Sequence, residues 1–252
     1  MKKILLLLTF YMTMNSFLKA ATLTVCASGC DHTTITAAIA AASAGDIIDV
    51  QDAIHTEAYI VVNKNLTIQG QGQTTTTIQA AATQAAANDQ IFRVNSGLTV
   101  TFQNMIVQNG NAQSGGISNK INGGGFNIAC DASSNIIFTN VTITNNKTSD
   151  SGKGGGIYLF GSDGNVSFTD CVISNNEANT TNSIAEGGGI FNGGAVSLTL
   201  TRCTISGNNS GNHGGGIRHD ISSSTVKLIN CTIFNNIAGG GGSGTIRGGG
   251  LF

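Results

Sequence analysis

Along most of the chain, apolar and polar residues alternate with period two and then slip phase at a fixed point. In residues 166–173, Val166 and Phe168 alternate with Ser167 and Thr169; after Asp170, Cys171 and Ile173 alternate with Val172 and Ser174. Period two is the signature of a strand with one face buried, so the slip predicts two short strands meeting at a corner. The phrase recurs as "QNMIVQNGNA" (103–112), "TNVTITNNKT" (139–148), "TDCVISNNEA" (169–178), "TRCTISGNNS" (201–210) and "INCTIFNNIA" (229–238). The corner is Asn104, Asn140, Asp170, Arg202 and Asn230 in successive copies. Asn and Asp tolerate the left-handed backbone that bends a strand sharply. Arg202 departs from that rule.

Stacking the copies gives four apolar columns. They are Val100, Ile136, Val166, Leu198 and Val226; then Phe102, Phe138, Phe168, Leu200 and Leu228. Met105, Val141, Cys171, Cys203 and Cys231 make the third, and Val107, Ile143, Ile173, Ile205 and Ile233 the fourth. The columns between them are mostly Thr and Ser. A single rung cannot bury its apolar face, whereas stacked rungs bury a continuous one. A second marker, "GGG" at 123–125, 154–156, 187–189, 214–216 and 248–250, keeps step with the phrase and precedes a third strand ("GIYLF", "GIFNG", "GIRHD"). The Ile positions 143, 173, 205 and 233 are 30, 32 and 28 residues apart, so fixed rungs are joined by variable loops. The expected fold is all-β: a right-handed parallel β-helix of about six three-strand coils, the hand following from the near-universal right-handed parallel crossover.

Two polar features fall inside this repeat. The doubled Asn closing each phrase (145–146, 175–176, 235–236, with Asn208 aligned to the second) suits a ladder of amides hydrogen-bonded from rung to rung. Triplets at Asn140, Asn146 and Asn179 match a glycan acceptor pattern, but such triplets arise freely in Asn/Thr-rich sequence. The Cys171, Cys203 and Cys231 column shares its positions with Val and Met, so it reads as small apolar filler, with a disulfide between neighbours left open. Cys130 has no evident partner.

The two ends differ from the repeat. Residues 33–44, "TTITAAIAAASA", are expected to form a helix capping the N-terminal edge, with Thr33 or Thr34 as N-cap and Gly45 as terminator. The first coil then begins with "GDIIDV" (45–50) and "KNLTIQG" (64–70). The C-terminal "GGGLF" stops within a strand, so the domain, residues 21–252, reads as cut mid-coil, with any anchor beyond it. Met1, Lys2 and Lys3, the apolar run Ile4 to Phe10, and "FLKAAT" with small residues for cleavage after Ala20 or Ala21 read as an export leader, residues 1–20. No second run long enough to span a membrane follows. Export permits a disulfide, and Cys26 and Cys30 ("CASGC") are spaced to close a small loop rather than to form a metal knuckle.

Composition narrows the function classes. A net charge of −1 with 10% charged residues argues against a nucleic-acid binder and against a charge-driven disordered chain. Candidate chemistry is sparse. The densest polar group is "HGGGIRHD", with His213, Arg218, His219 and Asp220, and Glu186 one coil back. A base and a charge stabiliser can be drawn from it, but exposed polar residues at a strand end are the plainer account. Neighbouring copies carry Tyr158-Leu159-Phe160 and Phe191-Asn192-Gly193 there, so no carboxylate pair is built across rungs, and no metal site or cofactor is read. If the Ile after GGG points inward, Asn127, Tyr158, Phe191, Arg218 and Phe252 share one outward column, in which Tyr158, Phe191 and Arg218 are ligand-binding candidates for a sugar or a protein. Asp170 and Arg202 on adjacent corners form a surface ion pair.

With these columns in place, the stretch from "TITAAIAAASAGDIIDV" through "NKNLTIQGQGQTTTTIQ" resembles the opening of secreted bacterial pectin-lyase-fold proteins. The repeated "GGGI…FTNxTIxNN" resembles the repeats of polymorphic outer-membrane proteins and related adhesin-type β-helix surface proteins. The resemblance implies an exported protein, extracellular or on a bacterial outer membrane, and names no ligand. The expectation is therefore a non-enzymatic secreted or cell-surface stalk, adhesin-like, whose partner is a carbohydrate or a cell-surface protein. The alternative is a polysaccharide-active enzyme, a lyase or glycoside hydrolase, or a carbohydrate-binding module on the same fold.

Overall fold

Three of the four predicted columns are ladders of parallel strand pairing along their length in the computed structural model, which describes residues 19–116, 121–239 and 248–252. Phe102, Phe138, Phe168, Leu200 and Leu228 lie directly opposite one another on successive strands, as do Val107, Ile143, Ile173, Ile205 and Ile233. Residues 1–18 of the expected leader lie outside the described residues. Among the described residues the strands form three parallel sheets: sheet A with 13 strands, sheet B with six and sheet C with five. From Phe92 onward each coil runs from sheet B through sheet A to sheet C, while the earlier coils place Ile54–Thr56 and Thr77–Gln79 in sheet A instead; about six coils make a right-handed parallel β-helix.

The corner is a backbone fact at every copy. Asn104, Asn140, Asp170, Arg202 and Asn230 all have φ between 53° and 58°. Sheet A therefore turns without losing its ladder, and two of its strands, Thr99–Gln108 and Asn135–Thr144, run through the corner unbroken. Arg202 adopts the same left-handed conformation, so coil geometry overrides its preference at a cost of about 1–2 kcal/mol. Its side chain binds Asp170 through Nε at 2.7 Å and Nη2 at 2.8 Å. Both groups are well exposed, so the pair offsets little of that strain.

The doubled Asn divides its labour. Asn145, Asn175 and Asn235, with Gly207 in the fourth copy, take φ of 52–64° and turn the chain from sheet A into sheet C. The second residue of each pair builds the ladder. Asn176 donates from its backbone N–H to Asn208 Oδ1 (3.0 Å) and from Nδ2 to Asn208 Oδ1 (2.9 Å) and Ile143 O (3.0 Å). Its own Oδ1 accepts from Asn146 N and Nδ2. Asn208 repeats the pattern toward Asn236, and Asn146 donates back to Val107 O. Asn146, Asn176 and Asn208 are essentially fully buried, so their amides must be paired.

The glycine triplets answer the same region. The first glycine of each takes φ of 63–72°. A Cβ on the second, at Gly124, Gly155, Gly188 or Gly215, would strike backbone of sheet C and of the next coil's triplet. A Cβ on the third would press the ladder amide: 3.0 Å from Asn176 Cγ at Gly156 and 3.1 Å from Asn208 Cγ at Gly189. Beside this, Phe92, Phe102, Phe126, Phe138 and Phe168 form a continuous internal aromatic stack, with Phe138 and Phe168 centroids 4.4 Å apart. Cys171 and Cys203 lie in this core as free thiols, and Cys231 is half-buried in the same column. Burial, with a smaller push from Asp131, raises the Cys130 thiol pKa to about 12.

The N-terminal edge begins earlier than the sequence pattern suggests. The first strand is Thr22–Val25, ahead of the helix, and it pairs with Ile47–Val50. Cys26 and Cys30 are joined by a disulfide directly after it. Helix α1 spans Ile35–Ala41 and buries Ile35, Ala38 and Ile39 against the first coil. Thr34 caps it by accepting from Ala37 N–H at 3.1 Å. It does not run to Gly45: Ala42 is already extended, and the Asp46 carboxylate takes the Ser43 N–H (2.7 Å) and the Ala21 N–H (2.8 Å). The Lys64 ammonium takes the freed carbonyls of Ile39, Ala40 and Ala42, at 2.8, 3.0 and 2.7 Å. At the other end, Glu57 accepts the Ile35 and Thr36 N–H groups at 2.7 and 3.0 Å. The first coil thus grips the helix at both poles with the charges its dipole favours.

His55 buttresses that grip. It is buried, with Nε2 2.9 Å from Glu57 and Nδ1 3.6 Å from Asp52. The helix carries no acidic residue in its first turn, and Ile78 lies opposite His55 on the next strand. Burial alone pulls the His55 pKa down, but Glu57 and Asp52 outweigh it and leave it above 6.5. Burial pushes Glu57 up, but hydrogen bonds from His55 and from the helix N–H groups leave it below 4.5. A raised His pKa adds stability that is complete below 6.5 and lost as pH rises through the folded value. A lowered Glu pKa adds stability present above 4.5 and lost as pH falls through the folded value. Hydrogen exchange of the α1 amides, corrected for intrinsic rate, should therefore be slowest between pH 4.5 and 6.5. His55→Gln should flatten the limb above pH 6.5, and a wild-type profile already flat there would contradict the coupling.

The ladder gives a second expectation. Asn176→Ala leaves the buried Asn146 N–H without its acceptor and removes the amide donors to Ile143 O and Asn208 Oδ1, and should cost about 2 kcal/mol in denaturant unfolding. Asn175→Gly, which installs the residue found at position 207, should change stability by less than about 1 kcal/mol. Equal losses from the two would refute the division of labour.

Candidate functional site

Sheet B presents its outward column along one side of the β-helix. Register places Val61, Arg93, Asn127, Tyr158, Phe191 and Arg218 opposite one another on successive strands, with Phe252 on the next rung. The alternation follows from the buried residues flanking them: Phe92 and Val94, Phe126 and Ile128, Ile157 and Leu159 are all fully buried. The residue before each glycine triplet forms a second column beside this one: Asn122, Lys153, Glu186 and His213. The triplet's tight turn therefore brings loop residues alongside the strand residues they face.

Around the middle rungs the face is concave. A cleft of about 250 Å3 is lined by Arg93, Asn122, Asn127, Tyr158 and Phe160. Tyr158 stacks on Phe160 (5.4 Å between centroids) and on Phe191 (5.6 Å). Arg93 lies over the Phe160 ring at 5.0 Å and donates from Nη1 to Asn127 Oδ1. Asn127 is buried, and its Nδ2 is spent on Asn122 O at 3.0 Å, so it fixes the direction of the guanidinium. Burial pushes the Tyr158 pKa up, with Arg93 pulling the other way, and its hydroxyl stays a neutral donor and acceptor.

Phe191 shares the column but is not the exposed aromatic expected of it. It is 3% exposed: Lys153 Nζ sits 4.5 Å above the ring centroid, and Tyr158 stacks beside it. The ring lies down over Gly193, where any Cβ would collide with it. Tyr158 and Phe160 remain half-buried and open to the cleft.

The "HGGGIRHD" residues are parted by the pleat. Arg218 and Asp220 point outward and form an ion pair. Arg218 also stands over Phe252 at 4.5 Å and has Nε 3.7 Å from Glu186. His213 packs on Phe252 with ring centroids 4.9 Å apart. His219 faces the other way, in the inward column behind the fully buried Asn192, with Nε2 3.3 Å from Ser224 O. Strand alternation therefore sets His219 apart from Arg218 and Asp220. Glu186 is bound at 2.8 Å by Lys153 as well, so the charges at this end satisfy one another.

Arg93, Asn122 and Phe160 complete the cleft and were not among the sequence candidates. Arg93 sits on a rung where "NDQIFRV" replaces the glycine triplet, so the marker that aligned the other copies is missing. The surviving signal was the alternation of Phe92 and Val94 about Arg93.

No protein-family model matches the chain, and no curated protein matches it. Solved structures similar to it are pectin methylesterases. One, in complex with a hexasaccharide, has a TM-score of 0.51 at 15% sequence identity, covering 83% of this chain and 67% of that one. The pectin methylesterase PemA from Erwinia chrysanthemi has a TM-score of 0.49 at 16% identity, covering 83% and 67%. The carrot pectin methylesterase has 0.44 at 16% identity, covering 94% and 89%. At these identities the likeness is one of fold, the right-handed parallel β-helix.

Proposed function

We propose that the protein is an exported β-helix that binds a saccharide on the outer face of sheet B, in the cleft between Arg93 and Phe160. The observation that carries this reading is the composition of the cleft. Two half-buried aromatic rings, Tyr158 and Phe160, are held open by stacking, with a fixed guanidinium and amides around them. Rings of this kind pack against the apolar face of a sugar, and the polar groups take its hydroxyls. The neighbouring fold that holds a hexasaccharide fits this reading, although fold alone does not carry it. The weight moves from a passive stalk toward a polysaccharide ligand. The reading is one of binding: among the described residues no carboxylate lines the cleft, and Glu186 and Asp220 on the same face are engaged by Lys153 and Arg218. Export rests on the N-terminal sequence; among the described residues no helix is long and apolar enough to cross a membrane.

Binding to a glycan array, followed by calorimetry on the best ligand, tests the site. Tyr158→Ala and Phe160→Ala should each weaken binding about threefold to tenfold while leaving the melting curve close to wild type. Binding indifferent to both changes, or none to any glycan, would remove the reading.

A further inference from the structure

Arg93 and Arg218 occupy the same outward column four rungs apart, and their surroundings differ in one respect. Arg218 meets two carboxylates, Asp220 and Glu186. Arg93 meets none: among the described residues its contacts are Asn127 Oδ1 and the Phe160 ring. Burial lowers the Arg93 pKa, with the Tyr59 and Tyr158 hydroxyls acting in the opposite sense. A cation withdrawn from water without a counter-charge is costly, and an anion arriving beside it recovers that cost. The planar guanidinium also fits the two oxygens of a carboxylate or sulfate in a way a neutral ester does not.

We propose that Arg93 receives a free acidic group on the saccharide, a carboxylate or a sulfate, so that the cleft selects acidic sugars over their neutral or esterified counterparts. This rests on the saccharide-binding reading and gives its ligand a charge. Asn127 acts as a positioning residue, holding one guanidinium nitrogen so that the rest of the fork faces the cleft. Tyr158 and Phe160 then supply the ring contact, which is indifferent to charge.

Calorimetry at low and at physiological salt, with paired probes, tests this. The pairs are trigalacturonate with its methyl ester, and a chondroitin sulfate tetrasaccharide with its carboxyl-reduced and its desulfated forms. We expect at least one acidic probe to bind about tenfold or more tightly than its neutral partner, with salt eroding the difference. The pair that shows it identifies carboxylate or sulfate. Arg93→Met should abolish the preference and Arg93→Lys should keep part of it, while Tyr158→Ala should weaken both members of a pair by a similar factor. Equal binding of acid and neutral forms, lost on Tyr158→Ala, would overturn the acidic selection and leave the saccharide site standing. Preference surviving in Arg93→Met would overturn the role of Arg93. No binding of any probe, with the glycan array also blank, would overturn both. Should Arg93→Met fail to fold, Arg93→Lys and the salt dependence of the wild type decide the matter.

Discussion

The asparagine ladder against the glycine triplets is the constraint on which the rest of the molecule depends. The ladder amides of Asn146, Asn176 and Asn208 are buried, and their hydrogen bonds cross to neighbouring coils. A coil can close only if a backbone free of side chains passes within van der Waals reach of that amide, which the third glycine of each triplet allows. Register follows from this. Slipping one rung by a single residue would unpair buried amides in two neighbours and expose every core column of that rung at once. The Phe stack and the Ile columns carry the apolar burial along the core, and the pleat makes them sensitive to the same slip.

The same closure shapes the surface. Because the triplet turns the chain directly into sheet B, the residue before it is set beside the outward residue of the strand. Lys153 comes over Phe191 and Asn122 comes under Asn127 for that reason. The variable loops enter at the same seam. A fixed interior therefore presents a face whose chemistry changes from coil to coil, which is where binding properties can differ without disturbing the ladder.

Most of the architecture was legible in the sequence, since period-two alternation, phase slips and repeated Gly and Asn report backbone geometry directly. The corner residues show how far this goes: even Arg202, which the sequence marks as a misfit, takes the left-handed turn because its neighbours on both sides do. Legibility failed where coils depart from the repeat. The strand ahead of the helix, Thr22–Val25, has no companion phrase to align with, so the repeat pattern does not mark it. The helix stops at Ala41 because Asp46 and Lys64, both outside it, take its terminal groups. The candidate site was half visible. Tyr158 was found from its column, but the burial of Phe191 depends on Lys153 and Gly193, which no column connects to it.

Arg93 and Arg218 show why such a site resists reading from sequence alone. Both follow a core residue on a sheet B strand, and both stand over an aromatic ring. Among the described residues, one has its charge answered by carboxylates and the other does not. The difference comes from Glu186 and Asp220, one in the preceding coil's loop and one two residues on, together with an asparagine, Asn127, where the coil next to Arg93 might have supplied an acid. A β-helix repeats its backbone, but it does not repeat its charge balance. Among the described residues, the rung where that balance is left open also lines the cleft, so an acidic partner there would meet a cation that has no carboxylate beside it.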